Sequence, residues 1–167
     1  MTEQLATIQT LSETLGKILL TRSWSVAVAE SCTGGSLCAA LTDIPGCSAW
    51  FDRGFITYSN DAKETLLMVP STTLSTQGAV SEETALAMAD GALKNSRANV
   101  SLSITGLAGP TGGSKHKPVG TVWIACAGAG LPTQAKHYFF QGNRQAIRHQ
   151  SVFMALQRVI KQCSREP

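Results

Sequence analysis

Ser25-Val26-Ala27-Val28-Ala29-Glu30-Ser31-Cys32-Thr33-Gly34-Gly35 decides how the rest of the chain is read. Up to Glu30, small and apolar side chains alternate, with Val26 and Val28 on one side, which predicts a strand. Ser31 to Gly35 is a turn of small residues. Leu37, Cys38, Ala40 and Leu41 then recur at helical spacing as far as Asp43, and Pro45-Gly46 punctuates the end of the unit.

Working outward, Leu5, Ile8, Leu11, Leu15, Ile18 and Leu19 predict an amphipathic helix over about residues 3–22. Phe51 to Tyr58 reads as a strand, Asn60 as the N-cap of a helix through about Met68, and Ser81 as the cap of another that turns Ala85, Met88, Ala89 and Leu93 inward. A strand at Val100–Thr105 leads into a glycine-rich loop, Gly106 to Pro118. Two strands follow, Val119–Ala127 and Gln134–Phe140, close enough to be an antiparallel pair, and a helix from about Asn143 to Cys163 ends the chain. Interleaved helices and strands, then two strands in succession, predict a three-layer α/β/α sandwich around a mixed β-sheet. Residues 1–167 read as a single domain with no repeat or linker.

Composition narrows the function. A chain of 167 residues with 43% hydrophobic and 15% charged residues can bury a core without metal or disulfide staples. A net charge of +3, from scattered lysines and arginines, is too weak for nucleic-acid binding. The one basic cluster, Lys115-His116-Lys117, lies inside the glycine-rich loop. Five cysteines without a C-x-x-C pair fit a reducing compartment, and the three histidines do not join them at ligand spacing, so no metal is expected. There is neither a signal peptide nor an apolar run long enough to span a membrane, and the chain reads as cytoplasmic.

Several residues can carry chemistry. The Ser31–Gly35 turn points N–H groups at one spot where a helix begins, and the Ser31 and Thr33 hydroxyls add donors, so Ser31, Thr33, Gly34 and Gly35 are candidates for binding an anion. The same turn serves equally as a plain strand-to-helix connection. Ser48, between Pro45-Gly46 and Trp50-Phe51, is the candidate nucleophile. Without a G-x-S-x-G or S-x-x-K motif, its base has to come from elsewhere. Lys63 fits, because the start of a helix disfavours a charged ammonium, and Tyr58 could orient the pair or relay a proton. The alternative is an unremarkable surface serine, helix lysine and strand tyrosine. Thr105 to Gly113 is a glycine-rich loop at a strand end, where open α/β sheets bind ligands, which makes Thr105, Gly106, Gly112 and Gly113 candidates. Arg144 and Arg148 stand in the first turns of the last helix, a poor place for cations unless an anion binds there.

Taken together, Glu30-Ser31-Cys32-Thr33-Gly34-Gly35, Ser48-Ala49-Trp50-Phe51, Gly54 to Asn60, Gly78-Ala79-Val80-Ser81, Gly106 to Pro110 and Lys117 to Val122 resemble the CinA C-terminal domain family. The resemblance spans nearly the whole chain. It implies an α/β/α fold and, in stand-alone members, hydrolysis of nicotinamide mononucleotide to nicotinate mononucleotide and ammonia. It further implies no metal and no cofactor, a serine nucleophile matching Ser48 assisted by Tyr58 and Lys63, and nucleotide contacts from the first glycine turn and the Thr105-Gly106 strand end. Many relatives carry a further N-terminal domain, which is expected to be missing here. The rival expectation is a non-catalytic nucleotide-sensing or partner-binding module. The expected partner is a small nucleotide, with no nucleic acid and no membrane, and association into a homo-oligomer stays open.

Overall fold

A computed structural model describes residues 7–165. The part of the predicted first helix over residues 3–6, Leu5 included, lies outside the described residues. From Ile8 the chain forms α1 (Ile8–Arg22), β1 (Val26–Glu30), α2 (Ser36–Thr42), a 3-10 turn (Cys47–Ala49), β2 (Phe51–Ile56), α3 (Asn60–Leu67), α4 (Ser71–Gln77), α5 (Glu82–Lys94), β3 (Val100–Gly106), β4 (Thr121–Gly128), β5 (Leu131–Phe139) and α6 (Arg144–Cys163).

The five strands make one mixed sheet in the order β2-β1-β3-β4-β5. β1 runs parallel to β2 and β3, while β4 pairs antiparallel with β3 and with β5. Every residue of β1 is buried because helices cover both faces. On one face Val28, Leu102 and Ile124 pack against Leu15 of α1, Leu37 of α2 and Leu156 of α6. The other face is built from small and hydroxyl residues. There Ala85 and Ala89 of α5 pack on Ala125 and Ala127, close enough for Ser101 and Ser103 to donate to the carbonyls of Ala89 and Ala85 at 2.6 Å each. Both of these serine hydroxyls are thereby satisfied by the helix that covers them. The expected α/β/α sandwich is the observed one.

Three local details differ from the sequence reading. α3 is capped by Ser59 rather than Asn60: Ser59 is the residue in extended conformation, and its hydroxyl accepts the Ala62 N–H at 3.0 Å. α4 was not expected; its Ser-Thr-rich sequence buries only Leu74 and so has no apolar period to read. The last hairpin turns on Ala129 and Gly130, both at positive φ, and this two-residue connection carries pairing to Gly128 and Leu131, beyond the predicted strand ends.

One packing constraint ties this scaffold to the site. A Cβ at Gly91 of α5 would lie 2.1 Å from the carbonyl oxygen of Leu67, so α3 touches α5 backbone to backbone. Helix propensity alone favours Gly91→Ala by about 1 kcal/mol. The contact reverses the sign: the variant is expected to lose about 1–3 kcal/mol in denaturant unfolding because α3 is pushed off α5. A stabilised Gly91→Ala protein would contradict this packing.

Candidate active site

Register aligns Glu30 of β1 with Ile56 of β2 and with Ile104 of β3, so the three parallel strands end along one edge of the sheet. Ser31 and Thr57-Tyr58 leave their strands there, beside Thr105-Gly106, the last two residues of β3. α3 starts directly afterwards and returns Lys63 to the same edge. This is where open α/β sheets place ligands.

Lys63 is only 1% exposed. Its Nζ donates to the main-chain oxygen of Thr57 at 2.8 Å, to Ser31 Oγ at 3.1 Å and to the main-chain oxygen of Tyr58 at 3.3 Å. Among the described residues no carboxylate lies within salt-bridge distance of it. Burial pulls its pKa below the ordinary 10.5, a shift that the neighbouring Cys32 opposes only in part. Cys32 itself, next to the serine, is held as a neutral thiol, with burial pushing its pKa up to about 11.

The serine that meets Lys63 is therefore Ser31, and the expected pairing with Ser48 is corrected. Ser48 is exposed in the 3-10 turn that precedes β2, whereas Lys63 follows β2. At about 3.3 Å per residue, the two ends of that six-residue strand lie roughly 17 Å apart, with Ser48 before one end and Lys63 after the other. Tyr58 contributes to Lys63 through its main-chain oxygen. Its hydroxyl, on a side chain 58% exposed, accepts from Arg144 Nη2 at 2.9 Å rather than bridging serine and lysine.

The turn is not the open anion cradle that its glycines suggested. The N–H groups of Gly35 and Leu37 donate to Glu30 Oε2 at 3.1 Å each, and that of Cys38 to Glu30 Oε1 at 2.8 Å. Gly34 and Ser36 donate to the main-chain oxygens of Ser31 and Thr33. A buried carboxylate already occupies the place of the expected anion. Gly34 and Gly35 serve conformation instead, at φ 53° and 98°. Thr33 is buried and its hydroxyl has no partner.

A cavity of about 250 Å³ opens at this edge, bordered by Ser31, Cys32, Tyr58, Lys63, Thr105 and Arg144 among others. The Thr105 hydroxyl is committed to the main-chain oxygen of Ala79 at 2.6 Å, and Gly106 leaves room for Val122, whose Cγ2 would stand 2.7 Å from a Cβ there. Gly112 and Gly113 lie outside the lining, although the neighbouring Thr111 belongs to it. Arg144 also donates to the main-chain oxygen of Gly109 at 2.8 Å, which pins the glycine-rich loop. Arg148 is turned away from the cavity, toward the main-chain oxygen of Thr33 and Ser36 Oγ. Between the two arginines, only Arg144 borders the cavity. A larger cleft of about 640 Å³ lies between α2 and α6 but holds neither Ser31 nor Lys63, so chemistry rather than volume singles out the smaller one. Among the described residues no three His, Cys, Asp or Glu side chains group closely enough to hold a metal ion, and no helix is long and apolar enough to cross a membrane.

Comparison with known proteins gives the same fold and a family. The family model of the CinA C-terminal domain matches residues 8–163. The chain belongs to the CinA C-terminal domain family. Among its relatives in that family, the nicotinamide-nucleotide amidohydrolase PncC of Escherichia coli (strain K12) is 50% identical over 152 residues, covering 91% of this chain and 92% of the relative. A CinA-like protein of Syntrophobacter fumaroxidans is 51% identical over 146 residues, 87% of this chain but 34% of that longer protein. The crystal structure of the competence/damage inducible protein CihA of Agrobacterium tumefaciens superposes with a TM-score of 0.91 at 43% identity, over 97% of this chain and 99% of that one.

One sequence signal favoured Ser31 over Ser48. Ser31 stands directly after a strand, at the end where α/β sheets do chemistry, and Ser48 stands before one. A fluorophosphonate, which phosphonylates activated serines, is expected to label Ser31. Labelling should vanish in Ser31→Ala and continue at the wild-type rate in Ser48→Ala, as read by mass spectrometry. Loss in Ser48→Ala alone would reverse the correction.

Proposed function

We propose that this chain is a nicotinamide-nucleotide amidohydrolase that converts nicotinamide mononucleotide to nicotinate mononucleotide and ammonia, with Ser31 as nucleophile and neutral Lys63 as its base. Its relatives of matching length carry that name. The observation that carries the mechanism is the set of acceptors around Lys63. In the neutral amine, the two N–H groups satisfy the carbonyls of Thr57 and Tyr58, and the lone pair is left facing Ser31 Oγ.

The reaction follows from that geometry. Ser31 Oγ gives its proton to Lys63 Nζ and bonds to the carboxamide carbon, and the carbonyl oxygen takes up negative charge. As the tetrahedral species collapses, the lysine ammonium gives the proton to the departing nitrogen, which leaves as ammonia. The ester of Ser31 remains. Water then attacks, Lys63 takes its proton and returns it to Ser31 Oγ as the ester bond breaks, and the acid, free serine and neutral lysine result. The acid ionises in water. Arg144, with Tyr58 beside it, is the cation at the mouth of the cavity and takes the ligand phosphate.

Because the ammonium form cannot accept a proton, activity is expected to rise with pH through an ionisation below 10.5. Lys63→Arg is expected to be nearly as inactive as Lys63→Ala, since guanidinium stays protonated. Ammonia release from nicotinamide mononucleotide across a pH series checks both. Near-normal turnover in Lys63→Arg would mean that the site needs charge and not a base.

If Arg144 holds the phosphate, the dephosphorylated nucleoside is expected to be the poorer substrate. A charge-assisted hydrogen bond of about 1.5–3 kcal/mol corresponds to roughly ten- to a hundredfold in kcat/KM. Arg144→Ala should lower kcat/KM for the mononucleotide and leave the nucleoside little changed. Equal efficiencies in the wild-type enzyme would remove Arg144 from phosphate recognition.

A further inference from the structure

Glu30 is the last residue of β1, wholly buried, and immediately precedes Ser31. Among the described residues it has no ion-pair partner. Its carboxylate instead accepts the N–H groups of Gly35, Leu37 and Cys38, the donors at the start of α2. The N-cap of that helix is Gly35, which has no side chain to do so. Glu30 therefore caps α2 from the strand that leads into it, reaching across the turn between them. Ser31 N–H is held by the main-chain oxygen of Ile104, Gly34 N–H by that of Ser31, and Ser36 N–H by that of Thr33. Only the N–H groups of Cys32 and Thr33 are left without partners in the turn. Cys32 borders the cavity. The two consecutive glycines in left-handed conformation make this segment intrinsically pliable, so something outside it has to hold its shape.

We propose that Glu30 is a positioning residue for the nucleophile: tying both ends of the Ser31–Gly35 turn together, it keeps Ser31 Oγ on Lys63 Nζ and holds the uncommitted Cys32 N–H at the cavity, where it receives the developing oxyanion. The inference rests on the Ser31–Lys63 reading above. Glu30 touches no substrate. It acts because serine and oxyanion donor ride on one turn, and a displacement on the order of 1 Å there costs about a hundredfold in rate. A carboxylate is needed because all three partners are donors. Glutamine, of the same shape, keeps an oxygen for Gly35 and Leu37 but turns an NH2 group on the Cys38 N–H.

The test compares wild type, Glu30→Gln and Ser31→Ala with nicotinamide mononucleotide, measuring kcat, KM, the pH–rate profile and the thermal midpoint. A folded Glu30→Gln enzyme is expected to lose roughly ten- to a hundredfold in kcat. KM should stay within about threefold of wild type, since ground-state binding is not what the turn supplies. The inflection of the pH profile should not move, because Glu30 makes no bond to Lys63. Wild-type kcat in folded Glu30→Gln overturns the proposal. So does a loss confined to KM, or a displaced inflection, which would make Glu30 a charge acting on Lys63. If Glu30→Gln does not fold, Glu30→Asp is judged by the same criteria. If neither folds, Glu30 serves the stability of the fold and the assignment falls. Undiminished turnover in Ser31→Ala would sink the nucleophile itself, an outcome read from a different variant.

Discussion

A lysine amine taken out of water must find acceptors for its protons or give one up, and the site is organised around that choice. Lys63 is 1% exposed and faces two main-chain carbonyls and one hydroxyl, with no carboxylate beside it among the described residues. A carboxylate partner would have fixed the ammonium. Carbonyls bring no full negative charge to hold the proton, so desolvation pulls the pKa down and brings the neutral amine closer to reach. The same burial that lowers the pKa of the amine costs stability, as is usual where ionisable groups are desolvated.

The scaffold delivers these groups by strand register. β1 and β2 end level with one another and β3 runs two residues further, so Ser31, Thr57 and Thr105 meet at one edge without any long loop to order. α3, the helix that carries Lys63, packs backbone to backbone on α5 where Leu67 meets Gly91. On the serine side the negative charge of Glu30 is spent on the start of α2, where the helix dipole welcomes it, and not on Lys63. Two buried ionisable groups thus serve one short segment without neutralising each other.

The fold was legible because its periods are clean, in the small-apolar alternation of β1 and the helical spacing of α1 and α6; α4 went unread, and the Ala129-Gly130 turn carried the last two strands beyond their expected ends. Lys63 was legible as a lysine early in a helix. Ser48 was misread because nearness along the chain to Tyr58 and Lys63 stood in for nearness in space. In a strand-based fold, residues on either side of the same strand are held apart by its full length. The glycine cradle was misread for a different reason. Glycines announce a backbone conformation, but whether their N–H groups remain free depends on a side chain, here Glu30, whose reach across the turn has no sequence signature. The engagement of the Tyr58 hydroxyl with Arg144, 86 residues away, is likewise tertiary.

The account turns on which oxygen carries the acyl group. Acid quenching during turnover of nicotinamide mononucleotide, followed by peptide mass spectrometry, reads this directly. Residues 23–53 contain no internal lysine or arginine, so Ser31 and Ser48 fall in one tryptic peptide and fragmentation has to separate them. The account predicts the added mass of the substrate acyl group on Ser31. The same mass on Ser48 would contradict it.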